Sequence, residues 1–159
     1  MTKTMILNYL LTHADFFAFA VNERKSNKTE LRAYVYRRSD LIARINANRG
    51  TDVLRADSDG APKVVKHSEQ AFRMAFGNPW FNLATGLTNY DELDTTNATR
   101  KGMEKSESWE RKVVDAWNAM RPFDGMRWTG ADDGCTYDGI TKDGTTLEIK
   151  GQKGRMGKA

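Results

Sequence analysis

From Tyr137 to Gln152 the chain reads YDGITKDGTTLEIKGQ, and the three residues at its centre, Lys142-Asp143-Gly144, constrain the fold more than any other feature. Strand-like runs flank them, so the segment reads as a β-hairpin, and the length of a hairpin loop sets which residues oppose each other. A two-residue turn at Asp143-Gly144 places Gly139 opposite Glu148 and sends Asp138 and Glu148 to opposite faces. A three-residue loop places Asp138 opposite Glu148 and Thr136 opposite Lys150. Loops of that length commonly combine a type I turn with a left-handed last residue, usually glycine, and Gly144 stands there. The favoured register therefore gathers Asp138, Glu148 and Lys150 on one face. It leaves Tyr137, Leu147 and Ile149 as packing surface on the other.

Directly opposed residues in such a pair sit roughly 4.5 to 5.5 Å apart at Cα, so the two carboxylates either repel each other or share a cation. Oxygen-only donors of high charge density favour Mg²⁺ or Mn²⁺ over zinc, with water and phosphate oxygens completing the shell. Lys150 then sets an ammonium beside the acids, where it can orient or deprotonate an attacking water and offset charge on a phosphate. The ordinary alternative is a solvated strand face carrying an incidental cross-strand pair.

The chain has 159 residues, of which 39% are apolar and 29% charged, a composition that buries a real core in one domain or two small ones. No apolar run approaches the roughly 18 residues a membrane span requires, and the N-terminal stretch lacks a basic start and a small-residue cleavage site. These features predict a soluble, cytoplasmic protein with no membrane partner. The single cysteine, Cys135, excludes an internal disulfide and a multi-thiolate zinc site. The two histidines, His13 and His67, are far apart in sequence and give a His-metal site almost no support. A net charge of +4 and a pI near 9.2 tilt partners toward polyanions. Neither half of the chain is a basic arm, so a nucleic-acid site has to come from arrangement rather than bulk charge.

The pattern of elements predicts an α+β (mixed α/β) fold. A helix over 4–12 and a hairpin pairing 16–23 with 30–38 lead into a helix over 40–48. A second hairpin spans 51–67 around Ser58-Asp59-Gly60, and Ser68 caps a helix through Phe76. The polar stretch from Thr88 to Lys101 is the best linker candidate and divides an N-terminal α+β region, 1–100, from a C-terminal region, 101–159. Glu107 to Met120 is the clearest helix, with Trp109, Val113, Ala116, Trp117 and Met120 recurring at three- and four-residue intervals. Glu110 falls at the border of that apolar stripe. Strands over about 125–130, 135–141 and 145–152 follow.

At these residues the sequence resembles the PD-(D/E)XK superfamily of metal-dependent nucleases. The match is Asp138, nine intervening residues, then Glu148-Ile149-Lys150, with Glu110 on a preceding helix and Gln152 two positions past the lysine. It covers about residues 105–152. The resemblance implies a restriction-endonuclease-like core of helix and antiparallel three-stranded sheet, then a further helix and strand. It implies Mg²⁺- or Mn²⁺-dependent phosphodiester hydrolysis in which Asp138 and Glu148 bind metal, Lys150 serves the water, Gln152 joins the catalytic set and Glu110 adds a ligand. Two departures stand out: Tyr137 replaces the usual proline before the aspartate, and the chain ends too soon for the last helix and strand. Either the N-terminal region supplies those layers or a second copy of the chain does, as a homodimer.

Two function classes follow. One is a nuclease, endonuclease ahead of exonuclease, acting on nucleic acid with DNA ahead of RNA; Lys153, Arg155 and Lys158 suit a frayed tail, and beside such a site they can hold phosphates. The other is a non-catalytic binding protein or inhibitor that keeps a nuclease-like fold and acts on nucleic-acid machinery. Phe76, Trp80 and Phe81 suit core packing ahead of base stacking, Asp132 and Asp133 suit a turn, and Cys135 reads as structural.

Overall fold

A computed structural model describes residues 3–25, 28–47, 83, 87, 89–95, 108–130 and 135–151. In chain order the elements are α1 (Lys3–His13), β1 (Phe16–Lys25), β2 (Lys28–Arg37), α2 (Arg38–Ala47), β3 (Tyr90–Asp94), α3 (Ser108–Met120), β4 (Arg127–Trp128), β5 (Gly139–Ile140) and β6 (Thr146–Lys150). The fold is α+β, as the element pattern implied. Among the described residues the strands form one six-stranded sheet in the order β3-β2-β1-β6-β5-β4. Every neighbouring pair is antiparallel except β1 with β6, which is parallel. The hairpin expected over 51–67 and the helix expected over 68–76 lie outside the described residues, as does the boundary placed near residue 100.

The sequence FFAFAV in β1 alternates large and small side chains, and a strand sends alternate residues to opposite faces. Phe17, Phe19 and Val21 join Tyr34 and Tyr36 of β2 on one face, where Ile6 and Leu10 of α1, Leu41 and Ile45 of α2, and Leu83 complete a core cluster. The reverse face carries Ala18, Ala20 and Ala33. Their small side chains admit the bulky face of α3, so that Trp109, Val113 and Trp117 close over Leu93, Leu147 and Ile149 in a second cluster. Phe16 meets Trp117 edge-on at 5.4 Å between ring centroids, a favoured aromatic geometry. Met120, expected in the buried stripe of α3, is 51% exposed. The helix ends there and the chain turns away, with the Arg121 amide donating to the Trp117 carbonyl at 2.8 Å.

The stretch read as a linker contains β3, which pairs with β2 from Arg32↔Asp94 to Tyr36↔Tyr90. Among the described residues β3 stands at the edge of the sheet, and edge strands are commonly charged against further pairing. Leu93 is fully buried, Tyr90 packs against Tyr34 and Tyr36, and Arg32 holds Glu92 and Asp94 at 3.7 and 3.5 Å.

The junction of β1 and β6 positions everything that follows. Asp15, just before β1, donates its amide to the Thr146 carbonyl at 3.1 Å, and its carboxylate accepts from the Thr146 amide at 3.0 Å and hydroxyl at 3.1 Å. These bonds fix the starts of two strands 131 residues apart and set the register Phe17↔Glu148 and Phe19↔Lys150. The strand paired with β6, β1, and the helix that reaches Lys150, α1, both belong to the N-terminal region.

Candidate active site

The loop at Lys142-Asp143-Gly144 has three residues. The Thr141 amide donates to the Thr145 carbonyl at 2.9 Å, the Gly144 amide donates to the Thr141 carbonyl at 3.1 Å, and Gly144 has φ +89°. Asp143 braces the loop: its carboxylate accepts from the Thr141 hydroxyl and from the Thr145 amide, and these bonds hold its pKa below the ordinary carboxylate value. Ile140 pairs with Thr146 and Gly139 with Leu147, a register that, continued regularly, would bring Asp138 level with Glu148.

At Asp138 the ladder is interrupted. The Asp138 amide donates to the Leu147 carbonyl at 2.9 Å although Leu147 already pairs with Gly139, so two residues oppose one, the arrangement of a β-bulge. The Ile149 amide, which a regular ladder would give to the Tyr137 carbonyl, instead donates to Asp138 Oδ2 at 2.8 Å. The Tyr137 carbonyl accepts from the Thr129 hydroxyl. The aspartate side chain thus replaces a main-chain acceptor and ties its own carboxylate to β6. The same bulge overturns one expectation. Tyr137 packs with the α1–α2 cluster, not with Leu147 and Ile149 against α3, because the extra residue reverses the alternation beyond Gly139.

Gly139 itself admits a close approach, since a Cβ there would stand 2.7 Å from Met126 Sδ. Met126 is held by a two-way bond with Asn118 of α3, at 2.7 Å to its amide and 2.9 Å to its carbonyl. The bulge and the helix behind it are in this way joined.

Glu148 and Lys150 point to the α1 side, each half-buried. Burial is the first cause of a Glu148 pKa pushed up to about 8; the hydrogen bond and charge of Asp138 add to it, Lys150 opposes it, and Glu110 contributes a further rise. Burial and the neighbouring Asp138 thus favour the protonated form of Glu148. Burial lowers the Lys150 pKa, against the pull of Glu148 and Asp138. Glu110 is 7% exposed on the first turn of α3, the helix covering the opposite face, and it stands close enough to influence Glu148. Among the described residues no three His, Cys, Asp or Glu side chains form a group that could hold a metal ion; the acidic centre is the pair Asp138–Glu148. Gln152, Lys153, Arg155 and Lys158 lie outside the described residues, as do His67, Phe76, Trp80, Phe81, Asp132 and Asp133.

One participant escapes sequence reading. Tyr9 of α1 accepts a hydrogen bond from Lys150 Nζ, its ring lies 4.0 Å beneath that nitrogen, and its hydroxyl is bonded to Glu148. Burial, then the charges of Glu148 and Asp138, raise its pKa, so it stays a protonated phenol. The only local signal is its spacing from His13, four residues along one helix face, where the two rings stack at 3.6 Å. Nothing in that spacing names a lysine more than a hundred residues away.

The chain matches no family model, and no curated protein or solved structure is similar to it. No helix among the described residues is long and apolar enough to cross a membrane.

Proposed function

We propose that this protein is a metal-dependent nuclease that hydrolyses phosphodiester bonds of nucleic acid, DNA ahead of RNA. The observation that carries the reading is Asp138, tied to β6 by the Ile149 amide at 2.8 Å, set beside Glu148 and Lys150, with burial and then Asp138 raising the Glu148 pKa to about 8. A carboxyl whose ionised form is disfavoured by burial and by a neighbouring acid is poised to give up its proton to a cation. The donors are all oxygens, which suits Mg²⁺ or Mn²⁺. Such an ion, held by Asp138 and Glu148, would supply the positive charge that draws phosphate oxygens and water into the site.

The protein's own groups do the rest. Ile149 N–H fixes one Asp138 oxygen, so that carboxylate enters the site already oriented. Lys150 presents an ammonium whose pKa burial depresses; it orients the attacking water and offsets charge on the phosphate. Glu110, behind the pair, adds negative potential that favours a cation over empty carboxylates.

The test is cleavage of plasmid and oligonucleotide substrates, DNA and RNA, in Mg²⁺ or Mn²⁺. Cleavage should fall by roughly 10²–10⁴-fold in Lys150→Ala and be lost in Asp138→Ala and Glu148→Ala, with far-ultraviolet circular dichroism unchanged. No cleavage of any substrate by the wild type, or equal cleavage by the three variants, refutes the nuclease reading and leaves the non-catalytic binding protein.

A further inference from the structure

We propose that Tyr9 is a positioning residue for Lys150, its hydroxyl and ring together fixing where the ammonium points beside the acidic pair. The inference rests on the nuclease reading for its catalytic consequence, and on contacts within the chain for the positioning itself.

A lysine head group is a compact charge on a flexible four-carbon stem, carrying about 2 kcal/mol of rotamer entropy. Beside Asp138 and Glu148 its natural tendency is to collapse onto the carboxylates as an ion pair, occupying the space that a cation or water needs. Tyr9 competes for it by two routes at once. Its hydroxyl oxygen accepts from Lys150 Nζ, and its ring face attracts the same nitrogen at 4.0 Å from the centroid. An oxygen that accepts from an ammonium directs its own proton elsewhere, and the Tyr9 hydroxyl bonds Glu148. The phenol therefore bridges the cationic and acidic parts of the site and keeps them apart.

Tyr9 can hold a partner because it is itself held. It stacks on His13 with planes 23° apart, and His13 Nδ1 donates to the Tyr9 carbonyl at 2.9 Å, which locks the imidazole over the phenol. Phe17 packs tilted against its ring at 6.1 Å between centroids. Ile6 and Leu10, fully buried on the same helix, anchor α1 to the sheet. The parallel register Phe19↔Lys150 brings the lysine under that helix, and the Asp15–Thr146 clasp keeps it there. A group from the first helix thus aims a group from the last strand.

The experiment compares wild type with Tyr9→Phe, which keeps the ring, the stack and the packing and removes only the hydroxyl. Two readouts are taken on the full chain. The first is steady-state cleavage in Mg²⁺: turnover is expected to fall about 10–100-fold with KM within about twofold, because misplacing a catalytic group by about 1 Å costs that order of rate without weakening binding. The second is the rate of amine acetylation of Lys150 in metal-free protein, measured by mass spectrometry relative to exposed Lys142 in the same digest. That ratio is expected to rise several-fold in the variant as the ammonium comes loose. Unchanged turnover, or a change confined to KM, overturns the proposal, as does an unchanged acetylation ratio. If the wild type cleaves nothing, the nuclease reading fails by itself, and the acetylation ratio still decides whether Tyr9 holds Lys150.

Discussion

The two faces of β6 do opposite things with neighbouring residues. Leu147 and Ile149, 0% and 4% exposed, are sealed under α3 by Trp109, Val113 and Trp117, and burying each such side chain contributes about 1.5–3 kcal/mol. Glu148 and Lys150 alternate with them yet face α1, where burial pushes both pKa values toward the uncharged form. One face stabilises the fold; the other holds charged groups at a cost in stability, which under the proposed function a cation or substrate would offset. Period-two alternation lets five residues be core and chemistry together, and it makes the two roles separable by substitution.

The sharpest separation is Leu147→Ala against Lys150→Met. Leu147→Ala should destabilise by about 2–5 kcal/mol, the usual range for a leucine cavity in a well-packed core, while the molecules that remain folded keep their specific cleavage. Lys150→Met removes cleavage at a smaller cost in stability than Leu147→Ala, because it relieves the desolvation of a half-buried ammonium while leaving Asp138 and Glu148 without its compensating charge. Chemical denaturation and activity per folded molecule measure both. If Lys150→Met unfolds the protein as severely as Leu147→Ala, the two faces are not functionally distinct.

The contrast also has a pH signature. Glu148 titrates near 8 in the metal-free folded chain and at the ordinary value of 4.5 when unfolded. Between those values the folded state binds the extra proton, so stability falls as pH rises. The contribution is fully present below about pH 4.5 and is lost as pH passes about 8. Lys150, with its pKa lowered from 10.5, acts in the reverse sense: the folded chain releases that proton first, and stability is regained as pH climbs toward 10.5. Melting in a chelator should therefore show a Tm that declines from pH 5 to 8.5, by several degrees. Glu148→Gln should flatten the decline, and an identical slope in that variant would sink the assignment. Leu147→Ala should lower the whole curve without changing its slope.

What the sequence made legible follows from how local each signal is. The loop glycine at Gly144 announces the hairpin register on its own, because a left-handed last residue is a property of three consecutive residues. The spacing of Trp109, Val113 and Trp117 announces α3 in the same way. The strand β3 was concealed: Asp91, Glu92 and Asp94 look like a linker until Arg32 of β2 and Arg121 stand beside them. The bulge at Asp138, which turns Tyr137 to the α1 side, depends on a side chain displacing a main-chain acceptor, and no periodicity encodes that. Least legible was Tyr9. Its place in the site depends on parallel pairing between strands at opposite ends of the chain, and no hairpin signal specifies such a pairing.

The smallest effect tests what keeps the two faces from exchanging. A one-residue slip of β6 would carry Leu147 and Ile149 to the α1 side and bury Glu148 under α3. The loop opposes this through Gly144, whose φ of +89° strains any residue with a side chain, although the space around it is open. Gly144→Val should therefore cost about 1–2 kcal/mol of backbone strain and nothing in packing. The slip is opposed a second time by the Asp15–Thr146 bonds and the pairing of Phe17 with Glu148, none of which involves the loop. Gly144→Val is thus expected to lower Tm by a few degrees while cleavage per folded molecule stays at the wild-type level. Were activity lost with stability nearly intact, the loop alone would be setting the register, and the clasp at β1 would be a consequence of the pairing and not one of its causes.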